Sequence, residues 1–331
     1  MKNVTINAQG LVKHFPIKLG LFKTLVSKEN PFVHAVDGVS FHIASGEVFG
    51  LVGESGCGKT TTGRLLVRLL DLTEGQVTFK GTDLTSLSKK EMGRLRRQMQ
   101  IIFQDPYESL DPRMSIYDII AEPVRIQKTA ENESEVSQKV AKSLEEFGMI
   151  PAEEYMYRFA HELSGGQRQR VSIARAFVLR PEFIVADEPV SMLDASIRSE
   201  VLKLLLATQK KYKTAFLYIT HDIALARHVC DRLAVMYLGK IVEKGSTEEV
   251  IHEPLHPYTE ALIAAVPVPD PTARRIRVTL KGEVPSAINP PTGCRFNTRC
   301  PHAMEICRKK EPPLIEVNKG HFVACHLHTK K

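Results

Sequence analysis

Hydrophobic and polar positions alternate along residues 4–17, VTINAQGLVKHFPI, as in a half-buried or edge strand. Residues 35–55 contain two further strand patterns joined by an SGE turn, and the second of them ends in glycines. Residues 60–71 then place apolar side chains at helical spacing, and residues 73–84 return to alternation. The first quarter of the chain is therefore predicted to be rich in strands, with one helix following a glycine-rich turn.

A helical pattern runs from about residue 116 to 159 and predicts a helical insertion at about 105–160, after a further strand at MQIIFQD. Beyond it, strands at FIVADEP and AFLYITH alternate with helices, and RLAVMYLGKIVEKG has the pattern of a hairpin. Strands that alternate with helices predict an α/β fold with a mainly parallel sheet covered on both faces.

A proline-rich stretch at Pro267 to Pro271 marks a predicted boundary, with one domain at 1–265 and a loop-like extension at 266–331. The composition, 43% hydrophobic and 25% charged, is that of an ordinary globular protein. Every apolar run is far shorter than the roughly 18–20 residues that span a bilayer. The first residues also lack a secretory pattern, so a cytosolic, reducing location is expected and disulfides are not.

The net charge of +7 is compatible with nucleic acid, anionic lipid headgroups or a phosphate-bearing ligand. Its arginine and lysine clusters have the pattern of solvated surface, and no aromatic residues are interleaved with them to stack on bases. We therefore expect no nucleic-acid partner.

The sequence GESGCGKT, from Gly53 to Thr60, fits the phosphate-loop pattern and lies between a predicted strand and a predicted helix. The glycines let backbone N–H groups surround phosphate oxygens, and the helix presents its positive end to them. Lys59 supplies a positive charge to the terminal phosphates, and Thr60 can offer its hydroxyl to Mg²⁺. Cys57 is interpreted as a small filling residue. The residues assigned to this loop are Gly53, Glu54, Ser55, Gly56, Cys57, Gly58, Lys59, Thr60 and Thr61.

A second candidate site is the end of FIVADEP, where Asp187 and Glu188 follow an apolar strand. Open α/β sheets bind ligands at the carboxyl ends of their strands. Asp187 is therefore predicted to bind Mg²⁺, and Glu188 to polarise or deprotonate the attacking water. Two acidic residues at a strand end can also be a solvated cap, although the phosphate loop favours the catalytic interpretation.

The third motif is HELSGGQRQR, in which Ser164 and two glycines precede a helix and form a second anion-binding helix start. The LSGGQ segment, together with the phosphate loop and DEP, resembles the ATP-binding-cassette ATPases over residues 1 to about 255. The resemblance implies an ABC ATPase nucleotide-binding domain with a P-loop core, an antiparallel β subdomain and a helical subdomain. It also implies Mg-ATP as the ligand.

In that family two cassettes enclose two ATP molecules, so the signature residues Ser164, Gly165, Gly166 and Gln167 would act across a dimer. The resemblance also assigns Gln104 to the loop that contacts metal and water, His221 to the γ-phosphate and Asp194 to the dimer contact. Phe15 is similar to the aromatic residue that stacks on adenine, with a half-buried strand aromatic as the alternative. A histidine that follows a strand, such as His221, can also be structural.

Several stretches are similar to the ATPase subunits of oligopeptide and dipeptide importers, in particular to their F-type subunit: IIFQDPYESLDPRMSI, LHPYTEALIAAVPVPDP and GEVPSAINPPTGCRFNTRCPHAMEIC. The resemblance implies a second cassette, either a D-type paralogue or a second copy, two transmembrane permeases and an external substrate-binding protein. The location would be peripheral, on the cytoplasmic face of the membrane. An importer of oligosaccharides or metal chelates, or a soluble cassette ATPase, are the alternatives.

Four cysteines lie in the extension, with five, six and seventeen residues between them. These spacings differ from those of common zinc sites and ferredoxins, yet clustered thiols in a short cytosolic segment are expected to bind metal. The resemblance favours a 4Fe-4S cluster on Cys294, Cys300, Cys307 and Cys325, over structural zinc or unliganded thiols. The neighbouring histidines are alternative ligands.

Overall fold

The computed structural model describes residues 3–17, 31–266, 280 and 282–329. Its strands are β1 (Val4–Pro16), β2 (Phe32–Ala44), β3 (Val48–Val52), β4 (Glu74–Phe79), β5 (Thr82–Asp83), β6 (Met99–Ile102), β7 (Phe183–Asp187), β8 (Ala215–Thr220), β9 (Arg232–Tyr237), β10 (Lys240–Ser246), β11 (Ile315–Asn318) and β12 (His321–Val323). Its helices are α1 (Lys59–Leu66), α2 (Lys89–Leu95), α3 (Ile116–Ile126), α4 (Glu133–Glu146), α5 (Glu153–Met156), α6 (Gly165–Phe177), α7 (Ala195–Tyr212), α8 (Ile223–Val229), α9 (Thr247–His252), α10 (Pro257–Ala264) and α11 (Glu305–Lys309). Two short 3-10 helices span Pro106–Glu108 and Ala160–Glu162.

These elements form two compact units that are interleaved in the sequence. The insertion unit consists of Met1–Ile6, Ile43–Val48 and Phe79–Tyr218. The phosphate-loop unit consists of Asn7–His42, Phe49–Thr78 and Ile219–Lys331. The extension with its four cysteines therefore belongs to the same unit as the phosphate loop. The proline-rich boundary lies in residues 267–279, outside the described residues, and the division at 265 stays a prediction.

In the phosphate-loop unit, β1 lies between β2 and β4 in one sheet, and the part of an eight-stranded sheet that belongs to this unit has the strand order β11-β12-β10-β9-β3. Strand β3 is buried along its whole length and runs parallel to β9, with Val52 opposite Val235. Strands β9 and β10 are antiparallel, which confirms the predicted hairpin. Strand β12 continues the sheet by pairing antiparallel with β10. The extension is therefore joined to the core of this unit by backbone hydrogen bonds.

In the insertion unit, β6 and β7 are parallel neighbours, and β7 is buried along its whole length because both of its faces are covered. Helices α3, α4 and α5 form the predicted helical insertion. Ser115 caps the start of helix α3, since its hydroxyl accepts the N–H of Asp118 at 3.1 Å. Four of its five buried residues recur at helical spacing and form one apolar face: Ile116, Ile119, Ile120 and Val124.

Within the described residues, every helix is too short or too polar to cross a lipid bilayer.

Candidate functional site

The phosphate loop connects the buried strand β3 to helix α1, as the motif requires. Gly53 and Gly58 have φ angles of 154° and 108°. A Cβ atom would lie 2.2 Å from the carbonyl oxygen of Met236 at Gly53, and 2.1 Å from that of Ala35 at Gly58. Only glycine fits these two positions, because neighbouring backbone approaches the loop too closely for any side chain.

Lys59 is buried at the base of this loop, and its ammonium group lies inside the loop's curve. Its Nζ donates to the carbonyl oxygens of Gly53 at 2.8 Å and Glu54 at 2.9 Å. Ser55 and Gly56 are exposed at the tip, whereas Cys57 is buried. Burial raises the pKa of the Cys57 thiol, which agrees with its interpretation as a filling residue. The loop thus holds one buried positive charge next to exposed backbone, an arrangement that fits a phosphate group.

The acidic strand end lies in the insertion unit. Asp187 is buried as the last residue of β7, and Glu188 follows it with a φ angle of 45°. Positive φ is uncommon outside glycine. The side-chain amide of Gln104 donates to Oε2 of Glu188 at 3.2 Å. The structure therefore brings together two of the predicted catalytic residues, which are 84 positions apart in the sequence.

The signature segment starts helix α6 with a capping box. The Ser164 hydroxyl accepts the N–H of Gln167 at 3.3 Å, and the Gln167 side-chain oxygen accepts the N–H of Ser164 at 2.9 Å. Ser164 and Gly165 are exposed. The start of α6 is therefore ordered and accessible, as a site for an anionic partner requires.

The other residues predicted to contact nucleotide lie at or next to the ends of strands and helices. His221 is exposed directly after β8, and Asp194 is exposed as the residue that precedes α7. Phe15 is half-buried near the end of β1, with the ammonium of Lys13 at 5.1 Å from its ring centroid. The phosphate loop, Phe15 and His221 belong to the phosphate-loop unit. The acidic strand end, Gln104, Asp194 and the signature belong to the insertion unit.

The four extension cysteines lie close enough to influence one another electrostatically. At three of the cysteines, the backbone N–H of the residue two positions later lowers the thiol pKa and so opposes the effect of burial: Phe296 for Cys294, His302 for Cys300 and Leu327 for Cys325. The N–H of Cys294 also donates to the carbonyl of Cys307 at 2.7 Å. Burial raises the pKa of Cys294 to about 12 and that of Cys325 to about 11.

The distances between the cysteine sulfurs limit which metal group they could hold. Among the described residues, no three of these sulfurs lie within 4.8 Å of one another. A tetrahedral zinc ion with bonds of about 2.3 Å would hold its sulfurs about 3.8 Å apart. A cubane cluster is larger and separates its four ligands further. Backbone N–H groups that point at sulfur stabilise thiolates, the form that binds metal.

Several residues near the phosphate loop were missed by the sequence analysis. The N–H of Glu54 donates to the Tyr258 hydroxyl at 2.9 Å, and the N–H of Gly239 donates to the carbonyl of Cys57 at 2.8 Å. Arg299 pairs with the Glu54 carboxylate. These contacts join residues about 180 to 245 positions apart, so no local sequence motif predicts them.

A second set that the sequence analysis missed has ligand atoms within 4.8 Å of one another: His14, His34 and Asp37. The guanidinium of Arg295 is paired with the same Asp37 carboxylate. Because that positive charge disfavours a bound cation, we assign no metal to this set.

Comparisons with known proteins agree with these motifs. Residues 36–191 match the ABC transporter family, and residues 242–307 match the oligopeptide/dipeptide transporter C-terminal region. The chain is 51% identical over 298 residues to the putative oligopeptide transport ATP-binding protein YkfD of Bacillus subtilis, covering 89% of this chain and 90% of that protein. It is 48% identical to the probable peptide ABC transporter ATP-binding protein y4tS of Sinorhizobium fredii, covering 99% and 91% respectively.

Among solved structures, the dimeric post-hydrolysis state of the ATP-binding cassette MJ0796 with ADP and Pi aligns with a TM-score of 0.64 at 25% identity. The alignment covers 73% of this chain and 98% of that one. The fold and the motifs thus define an ATP-binding cassette protein. The chain belongs to the ABC transporter ATP-binding proteins, in the group that carries the oligopeptide/dipeptide transporter C-terminal region.

Proposed function

We propose that this chain is the ATP-hydrolysing subunit of a membrane importer that takes up di- and oligopeptides. One observation carries the proposal: a single chain contains the phosphate loop, the DEP strand end and the signature helix, followed by the oligopeptide/dipeptide transporter C-terminal region at 242–307. Relatives that are named for oligopeptide or peptide transport cover nearly the whole chain and support the same substrate class.

The family resemblance assigns Mg-ATP binding to residues of the phosphate loop in one unit and to the end of β7 in the other. The loop N–H groups and Lys59 would bind the phosphates, because they supply fixed donors and one positive charge. The hydroxyl of Thr60 and the carboxylate of Asp187 are hard oxygen ligands of the kind Mg²⁺ prefers. Phe15 would stack on adenine.

Hydrolysis would depend on Glu188, which is the proposed general base or polariser of the attacking water. Gln104 donates a hydrogen bond to it and would hold both this carboxylate and the water in place. His221 would contact the γ-phosphate. Little covalent chemistry is needed from the protein, since phosphoryl transfer depends mainly on positioning and charge stabilisation.

The active form would be a dimer of cassettes. The accessible start of α6, with Ser164, Gly165, Gly166 and Gln167, would meet nucleotide bound by the partner, and Asp194 would contact the partner. The partner is a D-type paralogue or a second copy of this chain. The dimeric state of MJ0796 supports this assembly.

The chain would act on the cytoplasmic face of the membrane, attached to two permeases that supply the transmembrane path. An external binding protein would deliver the substrate. The helical insertion at about 105–160 is the proposed docking element for the permeases. The match to a transporter-specific region supports these partners over a soluble cassette ATPase.

We propose further that the four extension cysteines bind a 4Fe-4S cluster that holds the extension together. Two observations support this assignment: among the described residues no three of these sulfurs lie within 4.8 Å of one another, and a backbone N–H lowers the thiol pKa at three of the cysteines. When bound, the cluster supplies four iron–sulfur bonds that cross-link the segment. Iron, acid-labile sulfide and zinc would be measured on protein purified without oxygen. About four irons and four sulfides per chain are expected; stoichiometric zinc, or neither metal, would contradict the assignment.

Peptide uptake in the source cell tests the main proposal. Deletion of the gene should abolish uptake of labelled di- and oligopeptides, and the wild-type gene should restore it. Lys59→Ala should fail to restore it, because the charge on the phosphate loop is lost. Lys90→Ala, at an exposed position of α2, is the matched control and should restore uptake. Normal peptide uptake in the deletion strain with loss of oligosaccharide or metal-chelate uptake would assign the chain to one of those importers instead.

A further inference from the structure

The carboxylate of Glu54, inside the phosphate loop, is held by the guanidinium group of Arg299. Nη1 of Arg299 lies 2.8 Å from Oε2 of Glu54, and Nη2 lies 3.1 Å from Oε1. The pair is bidentate and partly shielded from water, because the side chains of Arg299 and Glu54 are only 9% and 28% exposed. Bidentate arginine–carboxylate pairs fix orientation as well as charge.

Arg299 belongs to the cysteine segment, which we define as residues 293–307. It directly precedes Cys300, and its backbone N–H donates to the carbonyl of Phe296 at 3.0 Å. Phe296 is buried against Tyr237 and Tyr258, with ring centroids 5.2 and 5.4 Å apart. The packing of the cysteine segment therefore sets where Arg299 stands.

The same packing also holds the backbone of the phosphate loop. Tyr258, which contacts Phe296, accepts the N–H of Glu54 through its hydroxyl at 2.9 Å. Glu54 is thus fixed twice, by its backbone through Tyr258 and by its side chain through Arg299. Both anchors depend on the position of the cysteine segment.

A carboxylate at this position opposes the function of the loop. Glu54 follows Gly53 directly, and a negative charge among phosphate-binding N–H groups repels phosphate over distances within the Debye length. Arg299 neutralises that charge and, by holding both carboxylate oxygens, restricts the Glu54 side chain to one orientation. Removing only the arginine would leave an unpaired, partly buried carboxylate beside the bound phosphates.

We propose that Arg299 is a positioning residue for nucleotide binding, through which the cysteine segment sets the affinity of the phosphate loop for Mg-ATP. The inference rests on the proposed function, since it assumes that this loop binds ATP. Because coupling between two sites is reciprocal, bound nucleotide also stabilises the cysteine segment.

The test measures the dissociation constant of the full-length chain for a fluorescent Mg-ATP analogue. Arg299→Gln should weaken binding about tenfold, as expected when one partner of a part-buried charge pair is removed. Adding Glu54→Gln to that variant should restore the affinity to within about threefold of wild type, because the unpaired carboxylate is gone. Arg308→Gln, an exposed arginine beside Cys307, is the matched control and should bind as wild type does.

The rescue separates positioning from simple structural support. If Arg299→Gln acted only by loosening the extension, Glu54→Gln would not restore binding, and that result would overturn the inference. Equal affinity of Arg299→Gln and wild type would overturn it as well. Wild-type chain that does not bind Mg-ATP would instead contradict the proposed function.

Glu54→Gln alone gives a second test that keeps Arg299 and its packing in place. This variant should bind Mg-ATP more tightly than Arg299→Gln does, because it leaves no unpaired carboxylate beside the phosphates. A tenfold loss of affinity in Glu54→Gln would count against the neutralising role of the pair.

Discussion

Glu188 shows how a single residue is prepared for its role by its surroundings. It follows the buried Asp187 in a left-handed backbone conformation, which costs a residue other than glycine on the order of 1 kcal/mol. The turn is tied down because the N–H and the hydroxyl of Ser191 both donate to the Glu188 carbonyl, at 3.2 and 3.1 Å. The side chain is left to accept from Gln104. A strained backbone is common at functional sites. Glu188 combines such a backbone with a hydrogen bond from Gln104 to its carboxylate.

Replacing this carboxylate should separate binding from hydrolysis. Glu188→Gln should retain Mg-ATP affinity within about threefold, whereas ATP turnover in the assembled transporter should fall by at least about 100-fold, the usual contribution of a general base. Glu182→Gln is the control, because Glu182 is an exposed residue in a surface pair with Lys80. Turnover of Glu188→Gln close to that of Glu182→Gln would refute the assigned role.

The residues that the sequence predicted and those it missed differ in one physical respect. The phosphate loop and the signature are contiguous stretches, whose glycines and caps act on their own backbone. Arg299 and Tyr258 act on Glu54 from 245 and 204 positions away. The sequence around each of these two residues contains no motif that predicts a contact with the loop. Only the folded chain brings their side chains to Glu54.

At the scale of elements, helices α6 and α7 meet at a glycine. A Cβ added to Gly166 would lie 2.6 Å from Cγ2 of Ile197, whereas one added to Gly165 would meet nothing within 4 Å. The second glycine of the signature therefore allows the two helices to approach, and the first leaves open space at the exposed start of α6.

The two neighbouring glycines make a matched pair. Gly166→Ala should lower the free energy of unfolding by about 1–3 kcal/mol through overpacking, and the double variant Gly166→Ala/Ile197→Ala should lose less than the sum of its single changes. Gly165→Ala should not destabilise the fold. Chemical denaturation of these three variants and of Ile197→Ala alone measures this, and equal stability of Gly165→Ala and Gly166→Ala would rule out the helix contact as the cause.

Long elements were predictable from the sequence, and short ones in the extension were not. The helical insertion, α6, α7 and the β9–β10 hairpin all follow from repeated apolar positions. The extension was predicted to be loop-like, yet it contains β11 and β12, which span four and three residues. Strands this short contain too few alternations to be recognised, and pairing of β12 with β10 is what makes them strands.

The cysteine segment offers a test at the same scale. Cys300→Ser should lower the iron content and, because Cys300 adjoins Arg299, weaken Mg-ATP binding in parallel. His302→Gln is the control, because the His302 side chain is exposed. The iron content of this variant should equal that of wild type. Full iron content in Cys300→Ser would remove that cysteine from the ligand set, and loss of iron in His302→Gln would make the histidine a ligand.

At the scale of the whole molecule, catalysis would require two chains. Glu188→Gln with Mg-ATP should form a stable dimer, either alone or after mixing with a D-type partner, because nucleotide would be held without being cleaved. Light scattering coupled to size exclusion measures the mass. Lys59→Ala should remain monomeric under the same conditions. Monomers in every combination would contradict the cross-dimer role of the signature helix.

The pairing of Glu54 with Arg299 also bears on how the protein is made. The two residues are 245 positions apart. At about 5–20 residues per second, roughly 12–50 s pass on the ribosome between the synthesis of the loop and the synthesis of its arginine. During that interval the nascent loop carries an unopposed carboxylate. A chain that stops early would therefore compete poorly for cellular ATP, and tight nucleotide binding would arise only after translation has passed the cysteines.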